Sequence, residues 1–292
     1  MASTPTTRLA YVAWVAVCLL WGTTYLAIRI GLETVPPMLL GGIRWTIAGG
    51  LILAVLLLRR DRIPGPADWP VLAVLGVLLI GFGNGGVVWA EQTLPSGLTA
   101  VLVAVIPFWM IGVERAAGST ERLDARRMAG LVLGFGGIVL LVWPELELGD
   151  GPSFLVGVLA TQLACLGWAI GSTFSRRRRP SENVLAVAAY QMLFGGLVMF
   201  VVGTLAGEWS SLAFNGRTTA AVVYLVVFGS LGGFTAYAYA LKHLPLATVS
   251  LYAYVNPVIA MVLGTLILAE PMSLRVAVAG AVVLVGMAMV RK

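Results

Sequence analysis

The chain is a succession of about ten apolar runs nearly free of charge, most of them long enough to cross the hydrocarbon core of a bilayer and several only as long as a thin crossing requires. They are Tyr11–Ile28, Met38–Leu58, Val71–Ala90, Gly97–Gly118, Met128–Trp143, Phe154–Phe174, Val184–Leu205, Ala220–Leu241, Leu246–Leu268 and Leu274–Val290, the fifth and tenth being the shortest. In lipid every backbone N–H and C=O has to be bonded inside the protein, which leaves helices or closed barrels. Runs of this length without alternation predict helices. Composition agrees: 59% of the 292 residues are hydrophobic and 11% charged. That is too little charge to cover a soluble protein of this size, and the mean hydropathy is +0.95. Glycine is abundant, with 35 residues, which suits helices packed closely in lipid. Cys18 and Cys165 lie inside apolar runs and read as core residues, with no disulfide framework or metal-ligand pattern. No small-residue cleavage site clearly follows the first run, so it reads as a mature helix.

Loop charge orients the chain, because Lys and Arg gather on the cytoplasmic side. With the N-terminus inside, the inner segments carry Arg8, the Arg59–Arg62 group, Arg115, Arg122, Arg126, Arg127, Arg176 to Arg179, Lys242, Arg291 and Lys292. The outer segments hold only Arg29, Arg217 and Arg275, and the acidic loop Glu145, Glu147, Asp150 falls outside. The prediction is N-in and C-in. These charges act as topology signals and call for no nucleic-acid partner.

The sequence also repeats itself. Leu94-Pro95 opens a run with Pro107 near its middle, and Leu244-Pro245, about 150 residues later, opens a run with Pro257 near its middle. Glu121-Arg122-Leu123 and Glu270-Pro271-Met272 then hold corresponding places. Five spans per half is an odd number, so the second copy enters the membrane from the opposite side. The prediction is an all-α membrane protein of two inverted five-helix repeats around a central cavity, 1–146 and 150–292, with the boundary in Pro144–Ser153. Transporters built this way place substrate near the midplane where the halves meet.

Several phrases, in their order and spacing, carry a family resemblance. They are Leu20-Trp21-Gly22-Thr23-Thr24, Ile30-Gly31-Leu32-Glu33-Thr34-Val35-Pro36-Pro37, Gly42-Ile43-Arg44-Trp45 with Ala48-Gly49-Gly50, Leu244-Pro245-Leu246-Ala247, Asn256-Pro257 and Leu268-Ala269-Glu270-Pro271-Met272. Over nearly its whole length the chain resembles the drug/metabolite transporter superfamily, specifically its EamA-type ten-helix members. The YddG-like exporters of amino acids and related metabolites are the first comparison. The resemblance implies a basket of ten helices around a cavity open to one side at a time, in the cytoplasmic membrane, with no cofactor. Glu114-Arg115 departs from the family, which keeps that place near the inner end of the fourth helix apolar.

Candidate site residues follow from depth and chemistry. Pro107 and Pro257 lie near the midplane, where each frees the carbonyl four residues back, Val103 and Ala253. They read as paired hinges or as packing kinks. Arg44 is the one full charge clearly inside a span, away from its ends. It reads either as the cation for a substrate carboxylate or as a structural or snorkelling charge, with Glu91 or Glu33 as partner. Trp21 and Tyr25 share a face, Asn84 lies on the third span, Trp109 follows Pro107, and Trp168 matches Trp21 in the second repeat. Tyr237, Tyr239, Tyr252 and Asn256 complete an aromatic and amide set. Such a set suits a ligand with an apolar side chain and polar ends, while helix-to-helix bonding is the plainer role of each residue taken singly. Gly81/Gly85, Gly130/Gly134, Gly167/Gly171 and Gly229/Gly233 read as close packing within one chain, hence a monomer.

For proton coupling the candidates are Glu91 and Glu114. His243, the single histidine, reads as a solvated loop residue. The expected function is secondary export of small amphipathic metabolites, amino acids with aromatic or neutral side chains first among them. Its partners would be a small-molecule substrate, the bilayer and, if transport is coupled, protons. The rivals are the same fold carrying nucleotide sugars, sugar phosphates or drugs, and a non-transporting receptor or scaffold. A phosphorylated substrate would want several cations in the cavity where Arg44 is the one found. An enzyme lacks support, because the sequence holds neither His-Glu-x-x-His nor Gly-x-Ser-x-Gly nor clustered mid-span acids.

Overall fold

The computed structural model describes residues 5–118, 124–147, 151–178, 183–244, 249 and 252–290. Among them the chain is helical rods joined by short links. They are α1 (Pro5–Gly31), α2 (Pro37–Leu58), α3 (Trp69–Leu75, Gly76–Asn84 and Gly85–Ala90 in succession), α4 (Ser96–Val103 and Ile106–Ala116) and α5 (Ala125–Glu147). The second half supplies α6 (Gly151–Arg178), α7 (Val184–Leu205), α8 (Gly216–Tyr224, Leu225–Gly232 and Gly233–His243), α9 (Tyr252–Leu268) and α10 (Leu274–Val290). Among the described residues, seven helical stretches are long and apolar enough to cross a membrane, and Val255–Leu268 and Leu274–Met289 are two shorter apolar helices. Several helices overrun the apolar windows, α1 starting at Pro5 and α6 reaching Arg178. The backbone ladder continues past the hydrocarbon edge because each added residue contributes a bond without a new nucleus. The predicted start of the ninth span at Leu246, the Glu121 segment and Arg179 lie outside the described residues.

Helix pairing carries the two-fold. α2 packs on α7 and α5 on α10, each helix against its own repeat counterpart, as α4 does on α9. The remaining main contacts come in exchanged pairs: α1 with α9 and α6 with α4; α1 with α8 and α6 with α3; α3 with α7 and α8 with α2. Renumbering each helix by five turns this contact set into itself, as the inverted repeat predicts.

Two further features shape the helices, the first of them present in both halves. The middle of α3, Gly76–Asn84, and the middle of α8, Leu225–Gly232, are π-helical. A π-turn widens the helix and shifts its phase, and such turns gather at functional sites. On the outer face, carboxylates from the second half cap helices of the first. Glu208 accepts from the backbone N–H groups of Met38 (3.3 Å) and Leu39 (2.9 Å) at the start of α2. Glu270 accepts from the Ser96 N–H (2.9 Å), the Ser96 hydroxyl (2.8 Å) and the Gly97 N–H (3.4 Å) at the start of α4. A negative charge satisfies the orphan donors and the dipole of a helix N-terminus. Ala269, with φ +52, turns the chain to deliver Glu270, and a Cβ on Gly264 would overlap that carboxylate.

Candidate substrate site

The predicted residues fall into two groups related by the two-fold. The first lines the meeting of α1, α2, α8 and α9. Trp21 is its hub: its ring packs against Phe234 (centroids 5.3 Å apart), Tyr237 (5.1 Å) and Tyr252 (4.9 Å). Tyr237 and Tyr252 meet edge to face at 6.0 Å, and Trp45 reaches Phe234 at 5.8 Å. The Trp21 indole N–H donates to the Gly229 carbonyl at 3.1 Å, a carbonyl of the π-helical stretch of α8. Trp21, Tyr237 and Tyr252 each keep part of their surface accessible, as walls of a binding space do.

Arg44 stands at the edge of this aromatic group. It is 4% exposed, so it does not snorkel to the outer headgroups. Its Nε donates to the Ser230 hydroxyl at 2.9 Å, and its guanidinium carbon lies 4.2 Å from the Trp45 ring centroid. Gly229 makes the room: a Cβ there would sit 3.1 Å from an Arg44 Nη and 2.8 Å from Thr24 Cγ2. Of the two expected acid partners, Glu33 is instead ion-paired to Arg217 at 3.0 Å. Glu91 is fully buried, and its carboxyl oxygens find no hydrogen bond. Arg44 is therefore steered through one nitrogen and a ring face, with no carboxylate bound to it among the described residues. Asn256 joins α9 to α1. In the amide orientation its surroundings satisfy, Nδ2 donates to the Tyr252 carbonyl (3.0 Å) and the Cys18 carbonyl (3.1 Å).

The second group belongs to α3, α4 and α6. The Trp109 indole donates to Gln162 Oε1 at 3.0 Å. The Cys165 thiol faces the carbonyls of Leu102 (3.8 Å) and Val103 (4.0 Å), the second being the one Pro107 frees. Asn84 Nδ2 donates back to the Leu79 carbonyl at 3.0 Å inside its own π-helical stretch. Trp168 packs on Gly83, whose Cβ would lie 3.2 Å from the ring. Tyr25 sits between the groups, within electrostatic reach of Glu91 and Cys165.

The two prolines differ. α4 is interrupted at Ala104 and Val105, just before Pro107, whereas Pro257 lies buried within the unbroken helix α9. Tyr239 joins neither group. It stacks on exposed His243 at 4.5 Å and lines an apolar groove between α1 and α8 with Leu9, Ala13 and Thr235. Glu114 is half-buried at the inner end of α4. Sequence reasoning read Gly229 as a packing residue alone, and it did not place Trp45, Ser230, Phe234 or Gln162 in the site. The sixth span's only glutamine was a signal for the last, and a serine inside the apolar eighth span was one for Ser230.

Known proteins share this architecture. The sequence model described as "EamA-like transporter family" matches over residues 8–143 and again over 155–292. "Uncharacterized inner membrane transporter YedA" of Escherichia coli (strain K12) is 36% identical over 252 residues, covering 86% of this chain and 80% of that protein. "Uncharacterized transporter YoaV" of Bacillus subtilis (strain 168) is 24% identical over 273 residues, covering 90% and 89%. A solved crystal structure, described only as that of a protein, aligns with a TM-score of 0.66 at 25% identity over 99% of this chain and 98% of that chain.

Proposed function

The chain belongs to the EamA-like transporter family, and from that premise we propose that it exports small amphipathic metabolites, amino acids with aromatic or neutral side chains first among them. It is a multi-pass inner-membrane transporter of the drug/metabolite superfamily. The finer reading rests on one observation: the buried guanidinium of Arg44 stands beside the Trp21, Phe234, Tyr237 and Tyr252 cluster through Gly229 and Ser230. A carboxylate held on Arg44 would leave an apolar side chain against the rings. Rings and a single cation fit one carboxylate better than a diphosphate, which asks for several cations. Alternating access would move helix groups around this site.

The test is uptake into proteoliposomes with a panel of labelled amino acids, sugar conjugates and cationic dyes. Saturable flux of aromatic or neutral amino acids is expected. Arg44→Gln should raise KM about 10- to 100-fold, the worth of a charge-assisted hydrogen bond of about 1.5–3 kcal/mol. Flux of sugar conjugates or dyes alone would assign the site to those substrates instead. An unchanged KM in Arg44→Gln would remove the carboxylate role.

A further inference from the structure

Glu91 lies in the outer link between α3 and α4, one residue beyond Ala90. It is 0% exposed, and neither carboxyl oxygen has a hydrogen-bond partner. Arg29 is beside it but donates to the Glu91 main-chain carbonyl, and among the described residues no cation is hydrogen-bonded to the carboxyl. The charged groups acting on it are Glu270 from the link after α9, Arg29 of α1 and Arg44 of α2, with Tyr25 of α1 its titratable neighbour. The face of α6 against this end of α3 and its link presents Gly157, Ala160 and Ala164, which carry no charge. An ionised carboxylate stripped of water and of hydrogen bonds costs several kcal/mol, and such a group takes up a proton instead. Burial first, and the Glu270 charge second, hold the Glu91 carboxyl well above the ordinary carboxylate range, against the opposing pull of Arg29 and Arg44.

In this structure the packing of the outer link keeps water from Glu91. Four residues separate Glu91 from Ser96, where the Glu270 carboxylate caps α4. An outer vestibule of 630 Å³, lined by Thr93, Leu98, Glu270 and Arg275 among others, lies over that cap. Releasing the cap admits water to the link.

We propose that Glu91 is a proton-binding site coupled to the outer opening: it is protonated while the outer face is closed and gives its proton to external water when that face opens. The coupling goes beyond the substrate reading and does not depend on it. The proton leaves the carboxylic O–H for water, leaving a hydrated carboxylate, and returns on closure. The sign follows from the raised proton affinity of the closed state. Closure is fully favoured in acid and is lost as the outer pH rises through the closed state's raised value. One linked proton changes the closed-to-open ratio by at most about tenfold per pH unit.

The experiment needs no substrate. Leu98, 7% exposed in the vestibule wall, is replaced by cysteine in a background lacking Cys18 and Cys165. Maleimide labelling of the full chain in lipid nanodiscs is followed against pH. The infrared band of a protonated carboxyl is recorded in the parent and in Glu91→Gln. Labelling, divided at each pH by that of a cysteine at exposed Ser211 so that thiol ionisation cancels, should rise with pH by up to about tenfold per unit, and this ratio should become low and flat with pH in Glu91→Gln. Glu91→Asp should keep the dependence with a shifted midpoint. The infrared band should be present near neutrality and lost in Glu91→Gln. The amide imitates the neutral acid, so Glu91→Gln should be at least as stable as the parent. A destabilised Glu91→Gln protein, an infrared band unchanged by it, or an unaltered pH dependence of labelling would each overturn the proposal.

Discussion

At Gly229 three claims on one backbone position meet. Its carbonyl accepts a hydrogen bond from the Trp21 indole, and the space a Cβ would fill is taken by the Arg44 guanidinium and Thr24 Cγ2 together. Gly229→Ala should therefore overpack the site at a cost of about 1–3 kcal/mol. It should lower the thermal midpoint in detergent and weaken substrate affinity together, and a variant melting with the parent would contradict this account. Residue chemistry explains what was legible here. Trp21, Arg44, Tyr237, Tyr252 and Asn256 were singled out by side-chain type and depth, and the structure gathers them. Trp45 was hidden because nothing in a sequence distinguishes a tryptophan that stacks on its neighbouring arginine from one that fills a core.

Element geometry explains the misplacement of Tyr239. A 3.6-residue period run straight through the eighth span puts Gly232, Thr235 and Tyr239 on one stripe. The stripe holds in the structure, where Gly232, Thr235 and Tyr239 line one groove, but spacing does not say which way a stripe faces, since helix rotation is set by packing against neighbours. The face turned to Trp21 and Arg44 carries Gly229, Ser230, Phe234 and Tyr237, while Thr235 and Tyr239 line the apolar groove between α1 and α8. The prolines show the same limit. Both remove one helix bond, but α4 breaks at Ala104 and Val105, and a thiol from α6 faces the freed Val103 carbonyl. α9 stays continuous through Pro257. Transport should accordingly fall further in Pro107→Ala than in Pro257→Ala, by several-fold, in proteoliposomes matched for inserted protein. Equal losses would return the two prolines to equivalent roles. The caps made by Glu208 and Glu270 were illegible for another reason: each joins residues more than 160 positions apart.

Taken whole, the molecule was the most legible of the three scales. Ten apolar runs and a half-chain repeat already required helices and an inverted pair, and the contacts among helices respect that pairing. Orientation can be checked directly, since the native Cys18 and Cys165 are buried. A cysteine at Ser211, exposed in the link after α7, should label in intact cells with an impermeant maleimide. One at Asp61, exposed after α2, should label only after lysis, and the reverse pattern would invert the topology. The exchange of α1–α5 with α6–α10 has a kinetic corollary. Two end states assembled from one set of interchangeable helix pairs start out nearly degenerate, so small free-energy differences decide their populations. The residues without a true counterpart, the broken α4 against the intact α9 foremost, then set how long the carrier dwells open to each compartment. Relatives could retune that dwell time through a few unmatched positions while leaving the shared scaffold alone.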